Sequence, residues 1–127
     1  MAENEKEKEQ QIIKWLDAPQ KHDYPAALSY LSLLYSDKQA KAIVKQLKTS
    51  EMASFKAKDI FRASTLSLLG VSNSHVEKDR QQILSGHALS PILLVRDGAK
   101  VVIADGYHRM CAVYSFDEDA MIPCKIV

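Results

Sequence analysis

From Asp23 onward apolar residues recur at helical spacing: Ala27, Leu28, Leu31, Leu34 and Tyr35 share one face of a helix opened by Asp23 and Pro25. Ser36-Asp37-Lys38-Gln39 has the form of a capping box, and Ala40, Ile43, Val44 and Leu47 repeat the period behind it, with Lys41, Lys45 and Lys48 on the wet side. The two segments predict a helical hairpin over 23–48 that covers one side of whatever follows, with a structural or partner-contact role. Ahead of it, Met1 to Gln10 alternates acidic and basic residues with no apolar period, and Trp15 with Leu16 makes a short apolar anchor.

The texture changes at Phe55. Lys56 to Phe61 reads as a short strand-to-turn segment and Ser64 to Val71 as an irregular leucine-rich connection. Ser74-His75-Val76-Glu77 is a second capping-box pattern, opening a helix that ends at Ser85-Gly86. There Val76, Ile83 and Leu84 are expected to face the core, while His75, Lys78 and Gln82, at i, i+3 and i+7, share a polar face able to line a cleft. The run Pro91 to Val95, the turn signal Asp97-Gly98 and the return run Lys100 to Ala104 predict a β-hairpin. Gly106 to Phe116 reads as a helix, Asp117 to Asp119 as an acidic turn, and Ile122 to Val127 as a last strand. The expectation is an α+β fold, a small mixed β-sheet with packed helices over 51–127, preceded by a helical extension over 1–50.

Composition narrows the classes. The chain has 127 residues, room for one domain with a real core. Its formal charge of +1 gives no basic field for nonspecific nucleic-acid binding. No secretory signal or membrane-spanning run is read, so a cytoplasmic location is expected and no membrane partner. Cys111 and Cys124 have neither disulfide-framework nor zinc spacing and read as small buried apolar residues.

The chemistry concentrates at Asp105-Gly106-Tyr107-His108-Arg109. The helix that starts here carries no charge between Met110 and Phe116 and must be buried on most sides. His108 and Arg109 stand at its N-terminal end, where the helix dipole prefers acids by about 0.3–1 kcal/mol per group. That inversion suits a bound tetrahedral anion: free first-turn N–H groups, an imidazole and a guanidinium form one donor set. Gly106 permits a sharp strand-to-helix transition and a close backbone approach to a ligand. Asp105 reads as the N-cap of the helix, or functionally as a Mg²⁺ ligand or general base beside the phosphate. His108 reads as a proton carrier or plain donor, and Arg109 as a phosphate ligand or as the ion-pair partner of Asp105 or of the Asp117–Asp119 turn.

With these residues in place, the region from Phe55 to Val127 resembles the ParB/sulfiredoxin-like superfamily. The matching order is an opening strand, a helix such as Ser74 to Leu84, the strand around Leu89 to Val95, a return strand, Gly106-Tyr107-His108-Arg109 with Ala112, and Ile122-Pro123-Cys124-Lys125-Ile126-Val127. Gly106, Arg109 and Ala112 are similar to the Gly-x-x-Arg-x-x-Ala box of the partition proteins, and Gly106, His108 and Arg109 to the Gly-Cys-His-Arg box of sulfiredoxins. The resemblance implies that His108 and Arg109 hold phosphate oxygens of a nucleotide such as ATP, ADP or CTP, with His75, Lys78 and Gln82 facing it and Arg62 as a weaker carry-over.

Two departures bear on activity. Tyr107 stands where sulfiredoxins have their cysteine nucleophile, and Cys111 lies about 6 Å further along a helix axis, so sulfinic acid reduction is not expected. No helix-turn-helix reader follows the fold, so sequence-specific DNA loading is not expected either. Other relatives in the superfamily, phosphotransferases such as free serine kinases or proteins that have been called nucleases, are resembled through Asp-Gly-x-His-Arg more closely than a Gly-Glu-Arg-Arg box is. The leading expectation is a nucleotide- or phosphate-binding protein that acts as an ATP/CTP-dependent phosphotransferase or nucleoside triphosphatase with Mg²⁺, Asp105, His108 and Arg109 being the catalytic candidates. A noncatalytic nucleotide-sensing module, forming a homodimer or meeting a protein partner through the N-terminal helices, is the alternative. A DNA-binding or nuclease role ranks last, because no aromatic residues interleave with Lys38, Lys41, Lys45 and Lys48.

Overall fold

The computed structural model describes residues 12–70 and 72–127, so the charged lead Met1–Gln10 and the end of the leucine-rich connection at Val71 lie outside the described residues. The elements run α1 (Asp23–Leu34), α2 (Asp37–Thr49), β1 (Ala53–Lys56), α3 (Ala57–Ser64), α4 (Ser74–Leu84), β2 (Ile92–Asp97), β3 (Lys100–Asp105), α5 (Tyr107–Phe116) and β4 (Met121–Ile126). The fold is α+β, with a four-stranded mixed sheet of order β1-β4-β2-β3. β1 with β4 and β2 with β3 are antiparallel, and β2 with β4 is parallel.

Strand alternation sends side chains to two separate cores, because successive residues of a strand point to opposite faces. On one face Ile92, Leu94, Ile103, Ile122 and Cys124 meet Ala57 and Ile60 of α3, Val76 and Ile83 of α4, and Met110 to Val113 of α5. On the other, Leu93, Val95, Val102 and Ala104 are covered by Ala27 and Leu31 of α1 and Ala40, Val44 and Leu47 of α2. The helical hairpin is therefore the third layer of one sandwich. Lys125 of β4, itself buried, donates from Nζ to the Lys48 carbonyl at 2.9 Å, satisfying the end of α2 and tying the hairpin to the sheet. Before α1, Trp15 bridges to Leu89 in parallel, the anchor expected there.

Several local readings hold at residue level. Ser36 and Gln39 form the capping box reciprocally, and the β2–β3 hairpin turns at Gly98 with φ +63°, pairing Asp97 with Lys100. Both cysteines are free and buried, and burial pushes the Cys124 thiol up to about 11. Other readings need correction. Lys56 to Phe61 is not a strand-to-turn segment: β1 ends at Lys56 and α3 begins at once, since Ala57, Ile60 and Ser64 at helical spacing reach the core. The cap of α4 is Asn73 rather than Ser74, its Oδ1 accepting from the His75 and Val76 N–H groups at 3.0 and 3.2 Å. Leu34 and Leu84 each sit at the last position of a helix, where the apolar stripe has rotated off the core, and both are about half exposed.

Candidate functional site

The site grows from the end of β3. Leu93 pairs with Asp105 but Leu94 pairs with Ile103, so Ala104 is an extra residue on the β3 side. Bulges of this kind re-aim the side chains that follow them. The chain then reverses at Gly106, whose φ of +108° and ψ of 17° make it the N-cap of α5. A Cβ here would stand 2.3 Å from Ile92 Cγ2 and 2.7 Å from Ile92 Cβ. Glycine is thus required by backbone sign, as expected, and the side-chain space it leaves free is taken up by Ile92 and, at 3.0 Å, by Arg109 Nη2.

Asp105 does not cap α5; no side chain does. Its Oδ2 instead accepts from Arg109 Nη2 at 2.9 Å, the ion-pair alternative read from the sequence. The same Nη2 lies 3.4 Å from the Pro91 carbonyl, whereas Arg109 Nε is buried and has no partner among the described residues. The Met110 N–H bonds to the Gly106 carbonyl at 2.9 Å. Among the described residues, no acceptor meets the N–H groups of Tyr107, His108 and Arg109, the three first-turn donors that a helix leaves over.

α4 packs along α5 and brings a second set of side chains to this end. His75, Lys78 and Asp79 join Asp105, Gly106, Tyr107, His108 and Arg109 around a cleft of about 170 Å³. The His75 and His108 rings lie 4.9 Å apart between centroids, and the Tyr107 ring is 5.5 Å from that of His108. The Tyr107 hydroxyl donates to the Ser67 carbonyl, which directs the phenol toward the connection before α4. Gln82 opens instead onto an adjoining polar cavity of about 400 Å³ that shares Lys78, Asp79 and Arg109 and adds Gln20, His22 and Ser90. Arg62 lines neither; it is exposed on α3, 3.9 Å from Asp59. A separate apolar cavity of about 210 Å³, with Asp59 and Arg96 as its only charged lining residues, shares no residue with the cleft.

Two contributors were missed by sequence reasoning. Asp79 stands at i+4 from His75, on the polar face already identified, and its helical spacing was the available signal. Asp23, read only as a helix start, is almost fully buried, accepting at Oδ2 from the Gln20 N–H at 2.8 Å and from the Ser90 hydroxyl. Its carboxyl also interacts with that of Asp105, a long-range juxtaposition with no local signature.

Two cations, Lys78 and Arg109, face two carboxylates, Asp79 and Asp105, around the cleft, so its charge is balanced rather than strongly positive. Burial raises the Asp105 carboxyl pKa; Arg109 opposes this by charge and hydrogen bond, and Asp23 adds to the rise. Burial likewise raises Asp79, with Arg109, His108, Lys78 and His75 pulling it down. For His108, burial and then His75 lower the imidazole pKa, and Asp79 partly restores it. Carboxyls shifted up beside a histidine shifted down bring their proton affinities closer together, which favours proton exchange between them. Among the described residues there is no group of three or more His, Cys, Asp or Glu side chains set to hold a metal ion, and no helix is long and apolar enough to cross a membrane. Compared with protein families, curated proteins and solved structures, the chain finds no match in any of the three.

Proposed function

We propose that this cleft binds the phosphate of a nucleotide such as ATP, ADP or CTP, or of another phosphorylated small molecule, and that the protein is a cytoplasmic phosphotransferase or nucleoside triphosphatase. The observation that carries the reading is the set of three unengaged N–H groups at Tyr107, His108 and Arg109 beside Lys78, His75 and the His108 imidazole. The Asp105–Arg109 pair fits the reading because the guanidinium can exchange one anionic partner for another. An entering phosphate competes with Asp105 for the guanidinium, and a carboxyl whose pKa is already raised takes up a proton at modest cost. The likeness of Asp105 to Arg109 and Ala112 to the ParB/sulfiredoxin-like box supports the same assignment. A Mg²⁺ ion arrives in this scheme with the phosphate, as hard cations commonly do, and not as a resident metal.

Lys78, Arg109 and the amides hold phosphate oxygens; His108, neutral at pH 7 by its lowered pKa, carries a proton to or from the reacting oxygen; Asp79 shares that proton. Isothermal titration of the protein with ATP, ADP, CTP and inorganic phosphate tests the binding. Arg109→Ala removes charge-assisted bonds worth about 1.5–3 kcal/mol, a roughly 10- to 150-fold loss of affinity. Absence of heat with every ligand at millimolar concentration overturns the proposal. A noncatalytic sensor is the second reading, favoured by Asp23, which carries the state of Asp105 to α1 of the helical hairpin. Phosphate release that disappears in His108→Ala excludes it, and binding without release supports it.

A further inference from the structure

On the far side of the Asp105–His108 segment lies a second cavity, of about 320 Å³, lined by Ala26 and Tyr30 of α1, Leu66, Ile103, Ala104 and the segment Asp105 to His108 itself. Its character is opposite to that of the polar cleft. Tyr30 and Leu66 leave large apolar surfaces about 40 % exposed at its wall. The two spaces share Asp105, Gly106, Tyr107 and His108, so a molecule lying across this short ridge touches both.

We infer that the apolar cavity is the ring subsite of the phosphate cleft and that the ligand is a nucleotide whose base packs on Tyr30. The inference rests on the phosphate-binding reading and goes further, since inorganic phosphate, polyphosphates and small sugar phosphates make no use of this second space. Size permits a composite ligand: the polar cleft alone is smaller than the about 300 Å³ at which small-molecule sites begin, and the apolar cavity adds room for a ring. Chemistry favours it. Small-molecule sites pair an apolar wall with a few convergent polar groups, and here those are the first-turn amides and the Arg109 side chain that lines the cleft.

Helix α1 supplies the subsite by its phase. Asp23, Ala26 and Tyr30, at i, i+3 and i+7, form one face that runs along the site, so the residue that meets Asp105 and the residue that receives the ring are fixed on one rigid element. The helical hairpin is by this account part of the ligand pocket as well as cover for the sheet. Tyrosine is suited to the role because its ring gives a flat surface on which a base of any identity stacks. Selectivity among bases then falls to the polar atoms at the rim.

The test is titration calorimetry of the full chain with ATP, CTP and tripolyphosphate, on wild type, Tyr30→Ala and Tyr30→Phe. The expected result is that ATP or CTP binds at least about tenfold more tightly than tripolyphosphate, that Tyr30→Ala weakens the nucleotide roughly 5- to 150-fold, the range of stacking losses on alanine substitution, and that tripolyphosphate affinity is unchanged. Tyr30→Phe, which keeps the flat ring, retains nucleotide affinity within about threefold. Circular dichroism melts confirm that both variants are folded. Equal affinity of nucleotide and tripolyphosphate, with Tyr30→Ala silent, overturns the ring subsite and leaves the phosphate cleft standing. No binding of either ligand overturns both.

Discussion

Replacing Gly106 by alanine tests the geometry on which the site depends. The new methyl group meets two opposed demands: a backbone at φ +108°, which disfavours any Cβ, and Ile92 Cγ2 at 2.3 Å. Left-handed backbone costs a residue with a side chain about 1–2 kcal/mol. Forcing a methyl into a packed interior costs about 1–3 kcal/mol, and Ile92 is fully buried, so its branched side chain has nowhere cheap to go. The sum, roughly 2–5 kcal/mol, is a large part of the about 5–15 kcal/mol that holds a domain folded. At about 4 °C per kcal/mol for a chain of this size, the melting midpoint falls by roughly 8–20 °C. Thermal and urea melts of the variant measure this. Combining it with Ile92→Ala separates the terms: the steric part is relieved and appears as a favourable coupling of about 1–3 kcal/mol, while the backbone part remains. A Gly106→Ala protein within about 0.5 kcal/mol of wild type, or a double-mutant cycle without coupling, refutes the reasoning.

Two further substitutions check local assignments. Asn73→Ala removes the acceptor for two N–H groups of α4 and is expected to cost about 1 kcal/mol in urea melts, whereas Ser74→Ala, at a position that does not cap, is near neutral; the reverse order would restore the capping box read from the sequence. Asp79→Asn is expected to raise the melting midpoint near pH 7. Burial raises the folded-state pKa of this carboxyl above its unfolded value, so its protonated form is favoured in the fold and stability is lost as pH rises through that pKa. The advantage of the amide therefore shrinks as pH falls and vanishes below about 3.9, where wild type is protonated in both states. A stabilisation that persists at pH 3 would assign the effect to packing instead.

What was legible in the sequence followed from the range of the forces involved. The β2–β3 hairpin and the Ser36 cap are set by residues two or three apart, and these could be read directly. So could the gathering of His75 and Lys78 with His108 and Arg109, because two helices with a polar stripe and a polar end have few ways to bury the rest. For Asp105 the helix cap was read first and the pair with Arg109 only as an alternative, and the alternative holds. The N-cap preference is a local tendency of about 1 kcal/mol, and it loses to a guanidinium four residues on that reaches the carboxylate directly and offsets part of its burial. Asp23 and Tyr30 were illegible for the opposite reason: their position at the site depends on how α1 lies across the far end of the sheet, which no spacing within α1 records. Gly106 shows a third case, a correct residue with an incomplete reason, since only the fold reveals that Ile92 occupies the space a side chain needs.

The hairpin's double role leads to a prediction about the two halves of the chain. If residues 1–50 were a dispensable extension, a fragment of residues 51–127 would keep the sheet and the cleft. The packing argues otherwise. Removing α1 and α2 uncovers Leu93, Val95 and Val102, all less than a tenth exposed, on the far face of the two strands that carry the site. At about 1.5–3 kcal/mol for each large side chain returned to water, the loss is roughly 5–9 kcal/mol, comparable to the whole stability of a domain. It falls on β2 and β3 directly, and the Lys125 ammonium loses the Lys48 carbonyl as well. The fragment is therefore expected to lack a cooperative melt and to show collapsed amide dispersion by NMR, recovering both when the 1–50 peptide is added. A fragment that melts cooperatively on its own would show that the face beneath the hairpin is tolerated in water, and the hairpin would then be a partner docked on a complete domain rather than one of its layers.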